Sequence, residues 1–316
     1  MQVARALVSR LALGMVSLLF ISFVTFLATI LAPGDPALRL AGDKASPEVV
    51  TRLRHEMGLD RPWPERYLKY LGDATHGDFG KSYYGTQEPV GAILGRELPM
   101  TARLSCYAIV GASVFGILFG TIAGVTRDRW PDRAILLFST LGVTVPNFVL
   151  GPLLVWIFYL KLNQLPESWS PFRPLPDYMY YIMPVTILAM RPAALLTRLT
   201  RASMIETLQQ EFIRAAVAKG VPRFRLIVVH ALRNAILPVV TAIGTNAGYL
   251  LTGSFVVETI FIMPGVGRET IDAILKNDSP VVQACILITG FLFIVINLVV
   301  DLILPVLDPR IRESQV

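Results

Sequence analysis

The residues that could do chemistry in this chain form patterns that stop short of a site. Gly80-Lys81-Ser82 has the ending of a phosphate-binding loop, but the first glycine of that pattern falls on Thr75. Gly265-Val266-Gly267 opens a dinucleotide-type turn whose third glycine position is Thr270. Three histidines occur, His55, His76 and His230, and His55-Glu56 has no second histidine four residues on, so no zinc-protease helix follows. No G-x-S-x-G elbow is present. Cys106 and Cys285 both fall in apolar stretches, which gives neither a disulfide framework nor a cysteine zinc site. Asn277-Asp278-Ser279 fits a glycosylation sequon, a match that short motifs often make by chance. One charge stands out by its surroundings. Arg191 interrupts an apolar run, seven residues before Arg198 and therefore about 10 Å along a helix from it. An ionisable group at that depth faces a cavity or a partner, or snorkels to the interface.

The elements around these residues are set by composition. Of 316 residues, 53% are hydrophobic and 16% charged, against about 25% charged in a soluble domain. Disorder is excluded and an ordinary soluble domain disfavoured. A helix needs about 20 apolar residues to cross the hydrocarbon core. Residues 11–32, 104–126, 134–160, 235–257 and 279–300 are such runs without a charge, and 178–197 is a sixth broken only by Arg191. The expectation is an all-α, polytopic membrane protein with six transmembrane helices. Strands are disfavoured because the runs lack a barrel's alternating polarity. The first run exceeds a signal-peptide core and reads as a retained anchor.

Orientation follows from lysine and arginine in short loops. With the N-terminus inside, segments 1–10, 127–133, 191–235 and 308–316 carry 15 basic residues, and the short outside loops 161–177 and 259–278 carry 4. Loop 33–103 holds 10 basic and 10 acidic residues. Both termini are therefore expected in the cytoplasm. The net charge of +6 is explained by topology, with no nucleic acid needed.

Within the spans, Gly116, Gly120 and Gly124, extended by Ala108 and Ala112, make a small-residue stripe for close helix packing. Pro146, Asn147 and Pro152 predict a bend in the third span, around a pathway or as a packing irregularity. In segment 198–238, the spacing of Arg198, Arg201, Ile205, Leu208, Phe212, Ala215, Ala216 and Lys219 predicts one amphipathic helix. Gly220 and Pro222 stop it. A basic stretch from Arg223 to Asn234 follows, with Pro238 near the start of the fifth span. The apolar stripe either covers the chain's own bundle or docks on another protein.

The stretch Gln210-Glu211-Phe212-Ile213-Arg214-Ala215-Ala216-Val217-Ala218-Lys219-Gly220, followed by His230-Ala231-Leu232-Arg233-Asn234-Ala235-Ile236-Leu237-Pro238, resembles the EAA coupling loop of ABC importer permeases. It is closest to the dipeptide/oligopeptide/nickel subclass, in which Arg214 replaces the glutamate of the general motif. The resemblance continues through Pro33-Gly34-Asp35-Pro36, Met57-Gly58-Leu59-Asp60-Arg61-Pro62, Gly77-Asp78-Phe79-Gly80-Lys81-Ser82, Pro146-Asn147-Phe148, Gly253 to Phe261, Pro264-Gly265-Val266-Gly267 and Asp308-Pro309-Arg310-Ile311-Arg312. Arg191-Pro192 stands where that family tends to have small or apolar residues.

The resemblance implies a type I ABC importer permease fold, with an N-terminal segment and first span at 1–32 and an extracytoplasmic loop at 33–103. A five-helix domain at 104–310 would include the coupling loop 198–235, and 311–316 would be a tail. It implies a heterodimer with a second homologous permease, two ATP-binding subunits that carry ATP and Mg, an extracytoplasmic binding protein and the lipid bilayer. No cofactor and no catalysis are expected in this chain. Glu211, Ala215, Ala216, Lys219 and Gly220 would couple to the ATP-binding subunit, supported by Arg198, Arg201, His230, Asn234 and Pro238. Arg191, Pro146, Asn147 and Glu258 are the pathway candidates. Peptide is the expected cargo, with nickel, glutathione or oligosaccharide as alternatives. From another class, an ion-coupled secondary carrier would need buried ion-coupling carboxylates and usually internal repeats; the spans contain almost no acidic residues and show no repeat. An intramembrane enzyme would need a nucleophile or metal constellation at span depth.

Overall fold

The structure, a computed structural model, describes residues 2–32, 34–42, 45–84, 87–172 and 175–307. Pro33 of the Pro33-Gly34-Asp35-Pro36 motif, the Asp308 to Arg312 motif and the expected tail 311–316 lie outside the described residues. Among the described residues the regular secondary structure is helical, with one isolated antiparallel bridge between Lys81 and Pro89. The helices are α1 (Gln2–Leu31), α2 (Pro36–Ala41), α3 (Pro47–Glu56), α4 (Trp63–Thr75), α5 (Val90–Val125), α6 (Trp130–Thr144), α7 (Asn147–Leu154), α8 (Asp177–Leu208), α9 (Glu211–Ala218), α10 (Arg223–Arg225), α11 (Leu232–Ile260), α12 (Val266–Lys276) and α13 (Ser279–Leu307). Wider π-helical segments, Val155–Lys161 and Leu226–Ala231, extend α7 and link α10 to α11.

Among the described residues, α1, α5, α8, α11 and α13 contain stretches long and apolar enough to cross a membrane. The expected third span, 134–160, is instead a broken pair. The segments Trp130–Thr144 and Asn147–Lys161 meet at 107°. Val145 and Pro146 are extended at the break, because proline disfavours the α conformation in the residue before it and donates no hydrogen bond. Six spans are reached only when this pair counts as one. The second span also starts earlier than expected. α5 begins at Val90 and runs through Pro99, so the end of the expected 33–103 loop is helical.

The chain divides into two compact units, Met1–Thr101 with Met263–Ile294, and Ala102–Ile262 with Val295–Val316. In the first, Val90, Ile93, Leu94, Val266, Ala273, Val281, Ala284 and Cys285 form the core. Polar ties hold its loops. The Asp278 carboxylate accepts from the Ser82 hydroxyl and, at 3.0 Å, from the Tyr83 N–H. The Val266 N–H donates to Thr101 Oγ1 at 2.9 Å.

The second unit is organised around α8. The glycine stripe of α5 lies on it so closely that a Cβ at Gly116, Gly120 or Gly124 would stand 2.6, 2.4 or 2.6 Å from the Cβ of Leu196, Thr200 or Met204. These glycines remove side-chain bulk where two helix backbones approach. α6 and α11 also pack along α8, and α7 packs on α11.

Candidate functional site

The single amphipathic helix expected over 198–219 is two pieces. α8 continues to Leu208, the chain turns at Gln209 and Gln210, and α9 begins at Glu211. The extended backbone of Gln210 resets the helical register. Of the apolar stripe Ile205, Leu208, Phe212 and Ala215/Ala216, Phe212 and Ala215 are exposed on α9 and Ala216 is buried, with Ile213 pointing inward beside it. Ile213 joins Met204 of α8 with Ala231 and Ala235 at the base of α11 in one buried cluster, bordered by Val125, Leu208, Leu226, Ile227 and Leu232. Burying an isoleucine side chain is worth about 1.5–3 kcal/mol, so Ile213 fixes this two-turn helix to two long helices at once.

The opposite face is open. Glu211, Ala215 and Lys219, at four-residue spacing, share one exposed face of α9. Phe212 is 44% and Val217 56% exposed, and Phe224 of α10 is 79% exposed. Of the residues proposed for coupling, only Ala216 is turned into the chain itself. Gly220 closes α9 with φ +74°. Its N–H donates to Val217 O and the next N–H, from Val221, to Ala216 O, the paired bonds of a Schellman cap. A Cβ at Gly220 would meet no heavy atom within 4 Å. The glycine is thus required by its backbone angle rather than by crowding.

The expected supporting residues separate into different roles. Arg201 forms a two-pronged ion pair with Asp132, Nε to Oδ1 at 2.5 Å and Nη2 to Oδ2 at 2.7 Å. Asp132 is also bonded by the Asp128 N–H at 2.8 Å. The Asp132 side chain is only 2% exposed. This pair ties the start of α6 to α8, and sequence reasoning did not find Asp132. The available signal was Trp130-Pro131-Asp132, a proline and an acid in a helix first turn. Arg198 is exposed on α8. His230 lies in the π-helical segment, and its carbonyl accepts from Asn234 Nδ2 at 2.8 Å. Pro238 lies within α11 on an exposed face.

The pathway candidates also part company. Pro146 and Asn147 form the corner of the 107° bend. Glu258 is fully buried near the end of α11. Arg191 is exposed midway along α8. Among the described residues no group of three or more histidine, cysteine, aspartate or glutamate side chains is placed to hold a metal ion.

With this geometry, comparison with known proteins is informative. The model of the family described as binding-protein-dependent transport system inner membrane component matches residues 116–313, and the model of its N-terminal part matches residues 3–105. A protein named as a peptide transport system permease of Brucella abortus (strain 2308) is 40% identical over 309 residues, covering 97% of this chain and 98% of that protein. The glutathione transport system permease protein of Escherichia coli (strain K12) is 40% identical over 301 residues, 95% and 96% of the two chains.

Proposed function

The chain belongs to the family of binding-protein-dependent transport system inner membrane components, and from that premise we propose that it forms half of the translocation path of an ATP-driven peptide importer. The other half is a second homologous permease. Two ATP-binding subunits, which hold ATP and Mg, dock from the cytoplasm, and an extracytoplasmic binding protein delivers cargo to the far side. The relatives named for peptide and glutathione transport support this cargo class, since glutathione is itself a tripeptide. The excess of basic residues in segments 1–10, 127–133, 191–235 and 308–316 supports cytoplasmic termini in the inner membrane.

One observation carries the coupling role. α9 has an open face of Glu211, Ala215 and Lys219 and an inner face anchored by Ile213 to Met204 of α8 and Ala235 of α11. A subunit that grips the open face moves a helix locked to two membrane-crossing elements. Closure of the ATPase pair then favours one of two bundle states, and ATP drives alternating access through that difference in binding.

The test has two parts. Purification of the tagged chain in mild detergent should recover two ATP-binding proteins and a second permease. Recovery of the chain alone in stable form argues for an ion-coupled carrier. Gly220→Leu should preserve assembly, because space at that position is open and the left-handed backbone costs only about 1–2 kcal/mol. It should reduce ATP-dependent uptake by at least about tenfold, the effect of a displacement worth 1.4 kcal/mol or more. Normal uptake by the assembled variant would sink the coupling role.

A further inference from the structure

The outward faces of α8 and α11 are unlike a lipid-facing surface. On the second half of α8, Arg191, Leu195, Arg198, Ala202 and Glu206 are all exposed. Their spacing of four, three, four and four residues places them on one stripe. On α11 the exposed residues Pro238, Thr245, Tyr249, Thr252 and Val256 form a second stripe.

The two helices run antiparallel. Met204 clusters with Ala235, and Leu188 lies 3.6 Å from where a Cβ of Gly253 would be. Arg191 is three residues after Leu188, and Tyr249 is four before Gly253, so they stand at about the same depth at 1.5 Å per residue. Counting about 100° per residue from the touching pair turns both stripes to the same side. The result is one polar face that carries Arg191 and Arg198 beside Thr245, Tyr249 and Thr252.

Arg191 is the deepest charge on this face. It lies about 10 Å from Arg198 and about 20 Å from Tyr178 along the helix. A helical side chain leans toward the N-terminus, so Arg191 is directed away from its nearer polar end. That direction opposes snorkelling to a headgroup. No other described side chain forms an ion pair or hydrogen bond with it.

We infer that this face lines the path through the membrane and that Arg191 is its specificity-determining contact, binding the carboxylate of an anionic cargo with Tyr249 and Thr252 alongside. The planar guanidinium fork matches a carboxylate with two parallel hydrogen bonds, and the ammonium of a lysine supplies the charge without the fork. The cargo class is thereby narrowed to peptides with a free carboxylate. The inference rests on the importer reading.

The experiment measures kcat/KM for ATP-driven uptake by the assembled transporter with its binding protein. The probes are trialanine, trialanine C-terminal amide and glutathione. Arg191→Gln should lower kcat/KM about tenfold for the two free acids, the scale of a lost charged hydrogen bond, and leave the amide unchanged or improved. Arg191→Lys should recover only part of the loss, because it restores the charge without the fork. Because the same binding protein serves every variant, its own selectivity cancels in the comparison. A glutamine variant that alters no cargo, or acid and amide equally, overturns this inference and leaves the importer reading intact. Loss of the second permease on purification of that variant also overturns it, since Arg191 would then pair with a partner's acid. A wild-type complex that moves neither trialanine nor glutathione removes the cargo assignment and this inference together.

Discussion

α1 and α8 are both helices of about 30 residues that pass the same test for crossing a membrane, yet their outward faces differ. From Leu11 to Leu31, the large exposed side chains of α1 are leucine, methionine, valine and phenylalanine. α8 exposes two arginines and a glutamate on a single stripe. Length and mean hydropathy make each a span. The chemistry of the outward face separates a helix that meets hydrocarbon from one that meets water or a polar partner. Charge on α8 also has two conditions. Arg201 turns inward and is neutralised by Asp132, and Arg191 and Arg198 turn outward.

The inward pair offers the largest effect. Asp132→Ala leaves Arg201 without its partner in a mostly buried site and should destabilise the second unit by about 3 kcal/mol or more, read as a lower unfolding temperature in detergent. Replacing Asp132 and Arg201 together with leucine and methionine should recover most of that loss. A single variant as stable as the parent would show that the pair is not buried in the assembled protein.

The outward faces are compared directly by moving one charge. Phe20→Arg, on the exposed face of α1, should cost about 2.5–3.5 kcal/mol of membrane insertion. Leu195→Arg, within the α8 stripe, should insert almost normally. Equal penalties in an insertion assay would break the distinction between the two helices.

The smallest effect concerns a carboxylate with no such partner. Burial holds the Glu269 carboxyl of α12 above the ordinary glutamate range, with the charge of Glu97 adding to the shift. The folded protein therefore binds this proton more tightly than the unfolded chain. Its contribution to stability falls as pH rises from the ordinary glutamate range through the raised value. Glu269→Gln should flatten that part of the unfolding-temperature profile by less than about 1 kcal/mol, because the group is only half-buried. A profile unchanged by the substitution would contradict the shift.

The sequence made some of this legible and hid the rest for identifiable reasons. Charge-free runs announced α1, α5, α11 and α13, and the run broken only by Arg191 announced α8, since 20 residues with at most one charge have few other stable uses. The Gly116-Gly120-Gly124 spacing announced close packing but not its partner, because a stripe of small residues carries no address. Pro146 announced a bend, but not its 107° angle nor that α6 packs along α8 and α7 on α11. The coupling helix was read as continuous with the end of α8. Periodicity ran smoothly from Arg198 to Lys219, and one extended residue at Gln210 shifted every side chain after it. Asp132 went unnoticed because its partner is 69 residues away.

Composition and patterning alone determined that the chain crosses a membrane, that it is helical, and where its most distinctive loop lies. These follow from local costs, of burying charge and of leaving backbone groups unpaired, which a linear sequence records. Which face of each helix is covered was decided only by tertiary structure. Ile213 rather than Phe212 is buried, Arg201 is paired and Arg191 is open, because each outcome depends on a neighbour brought close by packing from elsewhere in the chain.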